Sequence, residues 1–85
     1  MNVRATMPIT KQCPYAEEFD VGTVTFEWDG EAPDLHRVAA SVALYRDKAK
    51  THEYVTQNLA TDWNCHVATS WRTAGMDVVV ECDPK

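Results

Sequence analysis

The chain predicts a small α+β domain in which two β-hairpins enclose a pair of helices, in the order β-β-α-α-β-β. Three patterns carry that expectation. Apolar residues alternate at period two over 3–9, 24–28, 65–71 and 76–82. They recur at helical spacing over 35–45 and 55–63. Gly and Pro clusters at 29–33 and 73–75 fall between these segments, where chain reversals belong.

Val3, Ala5, Met7 and Ile9 alternate with mostly polar neighbours, and Pro8 confines this first segment, within residues 1–12, to a sheet edge. From Val21 to Trp28 the alternation is cleaner, with Val24, Phe26 and Trp28 on one face and Thr23, Thr25 and Glu27 on the other. Asp29-Gly30 and Ala32-Pro33 end that strand. Asp34 is the expected N-cap of a first helix, in which Leu35, Val38, Ala39, Val42 and Tyr45 share a stripe through about Arg46. Arg46 itself suits the C-terminal end of that helix. After the polar connector Asp47-Lys48-Ala49-Lys50, Thr51 caps a second helix whose buried stripe is Val55, Leu59 and Trp63. Cys65, Val67, Thr69 and Trp71 then form one face of a strand, and Met76, Val78, Val80 and Cys82 return from a turn at Thr73-Ala74-Gly75. Trp28, Trp63 and Trp71 sit on the buried faces of their elements and are expected to fill the core or an interface.

Residues 1–85 are expected to form one domain, and a chain this short gains from burial against a partner subunit. Open sheet edges invite that pairing, so a homo-oligomer is expected. No stretch approaches the roughly twenty apolar residues of a membrane span, and residues 1–11 lack the apolar core of a signal peptide, which predicts a cytoplasmic protein with no membrane contact. Three cysteines, at 13, 65 and 82, read as free thiols in that compartment. Thirteen acidic against eight basic residues give a net charge of −5, which argues against a surface that tracks long nucleic-acid backbones and favours a small ligand. Cys65, His66, His36 and Cys82 show neither CxxC nor HxxxH spacing, so no metal site is expected.

Chemistry concentrates in the loop from Gln12 to Val24. Cysteine is the side chain best suited to attack an electrophilic carbon near neutral pH when its surroundings favour the thiolate. Asp20 lies seven positions beyond Cys13 and returns to it only if the intervening loop folds back. Taken alone, these residues also suit a packed thiol followed by a solvated turn. His52 and Glu53 likewise suit an ordinary capped helix start.

Taken jointly, Cys13-Pro14, Asp20 leading a Val/Thr strand, and Arg46 followed by His52-Glu53 resemble the QueF family of nitrile reductases and its shorter QueF-like amidinotransferase relatives. The likeness runs from about Gln12 to Glu81. Where the reductases carry a Cys-Pro-x-Thr-Gly-Gln-Pro-Asp loop, this chain has Cys13-Pro14-Tyr15-Ala16-Glu17-Glu18-Phe19-Asp20, keeping the step from Cys to Asp. The resemblance implies a T-fold (tunnelling fold) whose subunits close into an oligomeric barrel with active sites at interfaces. It implies a 7-deazapurine substrate, 7-cyano-7-deazaguanine, as free base or within a nucleic acid; the acidic balance favours the free base. Cys13 is similar to the nucleophile that forms a covalent thioimide with the nitrile. Asp20 is similar to the general acid, and burial beside Phe19 and Val21 is expected to keep it protonated. His52 is similar to a second proton-handling group, and Glu53 to the carboxylate that reads the guanine-like edge.

Two outcomes for the thioimide follow from the resemblance. NADPH-dependent reduction to the aminomethyl product is slightly favoured, because Arg72 and Gly75 look like a loosened Arg-Gly-Gly cofactor motif, with His36 and Arg37 as further phosphate contacts. Against it, the family's Glu-Ser-Lys-Ser-like segment is replaced by Asp34-Leu35-His36-Arg37. Amidine formation with ammonia requires no such cofactor. A non-catalytic purine- or pterin-binding subunit is the reading from another class.

Overall fold

Residues 2–85 are described by a computed structural model. Strands β1 (Asn2–Gln12) and β2 (Phe19–Asp29) form a long antiparallel hairpin. Helix α1 (Leu35–Ala43) runs into a 3-10 turn over Leu44–Asp47, helix α2 (His52–Trp63) follows, and β3 (His66–Thr73) with β4 (Met76–Cys82) makes the second hairpin. The sheet order is β1-β2-β3-β4, fully antiparallel, so the expected β-β-α-α-β-β plan stands with β1 and β4 at the edges.

Both helices cover one face of the sheet because the alternation of each strand gives that face its apolar side chains. Ile9, Val24, Phe26, Trp28, Val67 and Trp71 from the strands meet Val38, Val42, Val55, Leu59 and Ala60 from the helices in one core. All three tryptophans also satisfy their indole N–H groups: Trp28 donates to the Trp63 carbonyl at 3.0 Å, Trp63 to Ser41 Oγ at 2.9 Å, and Trp71 to Thr69 Oγ1 at 2.8 Å. Trp28 and Trp71 are buried and Trp63 is half-buried. Gly22 in β2 lets Trp71 lie flat against the sheet, since a Cβ at this position would meet the Ser70 carbonyl oxygen at 2.2 Å and the Trp71 ring at 2.9 Å.

The helix ends follow their capping chemistry. Asp34 accepts from the His36 N–H and Thr51 Oγ1 from the Tyr54 N–H. Asn64 closes α2 in the left-handed region at φ 49°, a conformation asparagine tolerates. One expectation differs: the first helix ends at Ala43 and tightens into the 3-10 turn, where Arg46 lies over the Phe19 ring at 5.6 Å instead of capping the helix. The β3–β4 turn also departs from a single glycine solution, because Ala74 (φ 52°) and Gly75 (φ 76°) both take positive φ. Two such residues match the right-handed strand twist in a two-residue hairpin. Among the described residues no helix is long and apolar enough to cross a membrane.

Candidate active site

The β1–β2 loop folds back on itself. The Cys13 N–H donates to the Glu18 carbonyl at 2.9 Å, and the Glu18 N–H to the Ala16 carbonyl at 2.9 Å, which closes the loop beside the strand ends. As a result the Cys13 sulfur, a Glu18 carboxylate oxygen and an Asp20 carboxylate oxygen lie within 4.8 Å of one another. A second tie brings in the helix: the Gln12 N–H donates to the Lys48 carbonyl at 3.1 Å, pairing the end of β1 with the segment that leads into α2. His52 and Glu53, the first residues of α2, are thereby set against the same loop.

These segments enclose a cleft of about 140 Å³ lined by Cys13, Asp20, His52 and Glu53 together with Lys11, Pro14, Tyr15, Thr51, Thr73 and Val78. The four residues singled out as catalytic or substrate-binding thus line one cleft. Cys13 is half-buried and Glu53 exposed, as a nucleophile and a ligand-reading carboxylate both require access.

Asp20 is buried, at 3 % exposure, but its neighbours along the chain are not the reason: Phe19 and Val21 point to the open face and are 53 % and 61 % exposed. Its environment is Lys11, which is fully buried at 0 % and donates from Nζ to Asp20 Oδ2 at 2.7 Å. The two are cross-strand partners in the β1–β2 ladder. Phe19 and Val21 therefore do not supply the apolar surroundings expected for Asp20; its carboxyl group is buried as a hydrogen-bonded pair with Lys11. The Lys11 ammonium also lies 5.0 Å from the centroid of the Trp71 ring.

His52 stacks on the same indole at 4.6 Å and 11° between planes, while its Nε2 hydrogen-bonds Thr73 Oγ1 at 2.9 Å. Burial holds the His52 pKa below the ordinary histidine value, the Lys11 charge pushes it the same way, and Asp20 and Glu53 oppose. The imidazole is accordingly neutral at pH 7, with one N–H to give and one lone pair to receive. Its Nδ1 is buried without a hydrogen-bond partner.

The four residues expected to hold a cofactor sit elsewhere and none lines the cleft. Arg72 alternates with Trp71 and Thr73, so it projects from the face away from the helices, where it pairs with Asp77 at 2.9 Å. Gly75 is at the hairpin tip, and His36 and Arg37 are exposed on α1, with His36 Nδ1 3.4 Å from Asp34 Oδ1. Arg72 and Gly75 thus belong to the β3–β4 hairpin, and His36 and Arg37 to α1. Cys65 is buried, Cys82 half-buried, and His66 is held between Glu81 Oε1 (3.0 Å) and Asp83 Oδ1 (2.8 Å), apart from His36.

Sequence reasoning missed Lys11, Thr73 and the stacking role of Trp71. Lys11 had a signal: continuing Val3, Ala5, Met7 and Ile9 by one step places it on the buried face, and continuing Trp28, Phe26, Val24 and Gly22 backwards does the same for Asp20.

No family model matches the chain, and no curated protein matches it. Among solved structures, the crystal structure of the archaeosine synthase QueF-Like in the apo form superposes with a TM-score of 0.89, at 21 % identity, over 98 % of this chain and 92 % of that one. The two proteins share a fold across essentially their whole length.

Proposed function

We propose that the chain is a QueF-like enzyme that attacks the nitrile of 7-cyano-7-deazaguanine through Cys13 and converts it to an amidine with ammonia. The observation that carries this reading is the meeting of the Cys13 sulfur and the Asp20 carboxylate within 4.8 Å in a cleft that also takes in His52 and Glu53. A nitrile carbon accepts a positioned soft thiolate far more readily than it accepts water. Asp20 takes the thiol proton as sulfur bonds to carbon, then delivers it to the nitrile nitrogen, giving a thioimide and restoring the carboxylate. Ammonia adds to the thioimide carbon, and the tetrahedral centre expels the Cys13 sulfur, leaving the amidine. Neutral His52 shuttles the proton that ammonia loses. Glu53 accepts from the ring N–H and exocyclic amino group of the deazaguanine edge.

Amidine formation moves ahead of reduction for two reasons. Arg72, the main mark of an NADPH site, is engaged by Asp77 on the far sheet face, and the solved structure of the same fold is that of an archaeosine synthase. Free thiols, one of them the nucleophile, suit a reducing cytoplasm. A second copy pairing at a sheet edge would deepen the open cleft around a deazapurine. The test is product analysis with 7-cyano-7-deazaguanine plus ammonia or NADPH: the amidine formed with ammonia and NADPH left unconsumed is expected. Consumption of two NADPH per nitrile with an aminomethyl product would make the chain a reductase. Reversible binding with no product in either mixture would make it a binding subunit.

A further inference from the structure

A fully buried lysine in an 85-residue domain is an expensive feature, and Lys11 is not used by the chemistry above. Its alkyl chain continues the apolar row of β1, yet its ammonium ends inside the cleft wall, against Asp20 Oδ2 and the face of Trp71. The charged or titratable groups that line the same cleft are Asp20 from β2, His52 and Glu53 from α2, and Cys13 and Tyr15 from the loop, with Glu18 beside Cys13 and Asp20. A purely structural strand would carry a fifth apolar side chain here, after Val3, Ala5, Met7 and Ile9, and Asp20 would then have no cation.

We propose that Lys11 is a positioning residue for the nucleophile: its ammonium fixes Asp20 by one carboxylate oxygen and adds a positive charge beside the forming Cys13 thiolate. With Oδ2 held by Lys11, Oδ1 is the oxygen left to receive the Cys13 proton. That proton is the one later given to the nitrile nitrogen; Lys11 keeps its three protons throughout, so charge and atoms balance with no added reagent. The inference rests on the reading of Cys13 as nucleophile, but it concerns thiol reactivity and is testable without the nitrile.

The experiment measures the rate of Cys13 alkylation by iodoacetamide on the folded protein, resolved by peptide mass, for wild type, Lys11→Met, Asp20→Asn and Lys11→Met/Asp20→Asn. Burial keeps the Cys65 and Cys82 thiols above their ordinary pKa, so they provide slow internal references. Removing Lys11 is expected to slow Cys13 alkylation at pH 7 about tenfold in both backgrounds, and to move the pH profile of alkylation upward. Should Lys11→Met alone fail to fold, the comparison of the double variant with Asp20→Asn carries the test. Unchanged Cys13 rates and profiles in folded variants lacking Lys11 would overturn the proposal and leave Lys11 a structural ion. Failure of wild type to form an adduct with the nitrile, alongside a tenfold alkylation effect, would instead refute the functional reading and uphold Lys11.

Discussion

The two faces of the sheet both carry ion pairs, and they use them differently. On the open face Arg4 meets Glu27 at 2.8 Å, Arg72 meets Asp77 at 2.9 Å, and His66 bridges Glu81 and Asp83, all with at least one well-exposed partner. Exposed pairs of this kind contribute about 0–1 kcal/mol each. On the helix-covered face, among the described residues, there is one pair, Lys11 with Asp20, at 0 % and 4 % side-chain exposure. Replacing such a pair by apolar residues is often neutral or stabilising, so stability alone does not account for it. Its position at the end of the buried row, next to Cys13, does. The open face is decorated with charge, whereas the covered face encloses charge where chemistry is proposed.

Breaking one pair on each face gives the widest contrast. Lys11→Met is expected to lower unfolding free energy by about 3–5 kcal/mol because it strands a buried carboxylate. Arg4→Met should cost less than about 1 kcal/mol. Urea denaturation of the two variants checks this, and equal losses would erase the distinction between faces.

Next in size is Gly22→Ala, where the new methyl group collides with the Ser70 carbonyl and the Trp71 ring. A loss of about 1–3 kcal/mol is expected, with a slower Cys13 reaction as well, since both His52 and Lys11 pack on the Trp71 ring. A destabilised variant with wild-type reactivity would show that Trp71 is only core.

His66 and His52 should titrate with opposite sign. His66 has a raised pKa, chiefly through its hydrogen bonds to Asp83 and Glu81, so its contribution is fully present below the unfolded value of about 6.5 and is lost as pH rises through the folded pKa. His52 has a lowered pKa, chiefly through burial, so the unfolded chain binds its proton more tightly and stability falls as pH drops below about 6.5. Urea midpoints between pH 5 and 8 should therefore lose their acid-side decline in His52→Gln and their acid-side gain in His66→Gln. The His66 effect is the smaller because that side chain is 36 % exposed.

The smallest change expected is at the hairpin tip, far from either pair. Ala74→Asn should stabilise the protein by about 0.5–1 kcal/mol, because asparagine accepts the positive φ that alanine resists. A rise in the thermal midpoint without altered Cys13 reactivity is the outcome that separates tip from cleft.

Much of this was legible in the sequence, since period-two and helical apolar patterns dictate which face each element buries, and Asp34 and Thr51 mark their helices by capping chemistry. Cys13, Asp20, His52 and Glu53 were legible as a set because their spacing resembles a family pattern. Lys11 was only partly so: period two carries it to the buried face, but a lysine at a strand end ordinarily reads as solvated, and the β1–β2 register is what makes it the partner of Asp20. The positive φ of Ala74 and the close approach behind Gly22 depend on neighbouring strands, which local patterns do not encode.

The most direct test of the central claim is the intact mass of the protein after incubation with 7-cyano-7-deazaguanine. A gain equal to one whole nitrile, located on Cys13, discharged by ammonia and absent in Cys13→Ala, is the predicted result. No gain in wild type, or the same gain in Cys13→Ala, would contradict it.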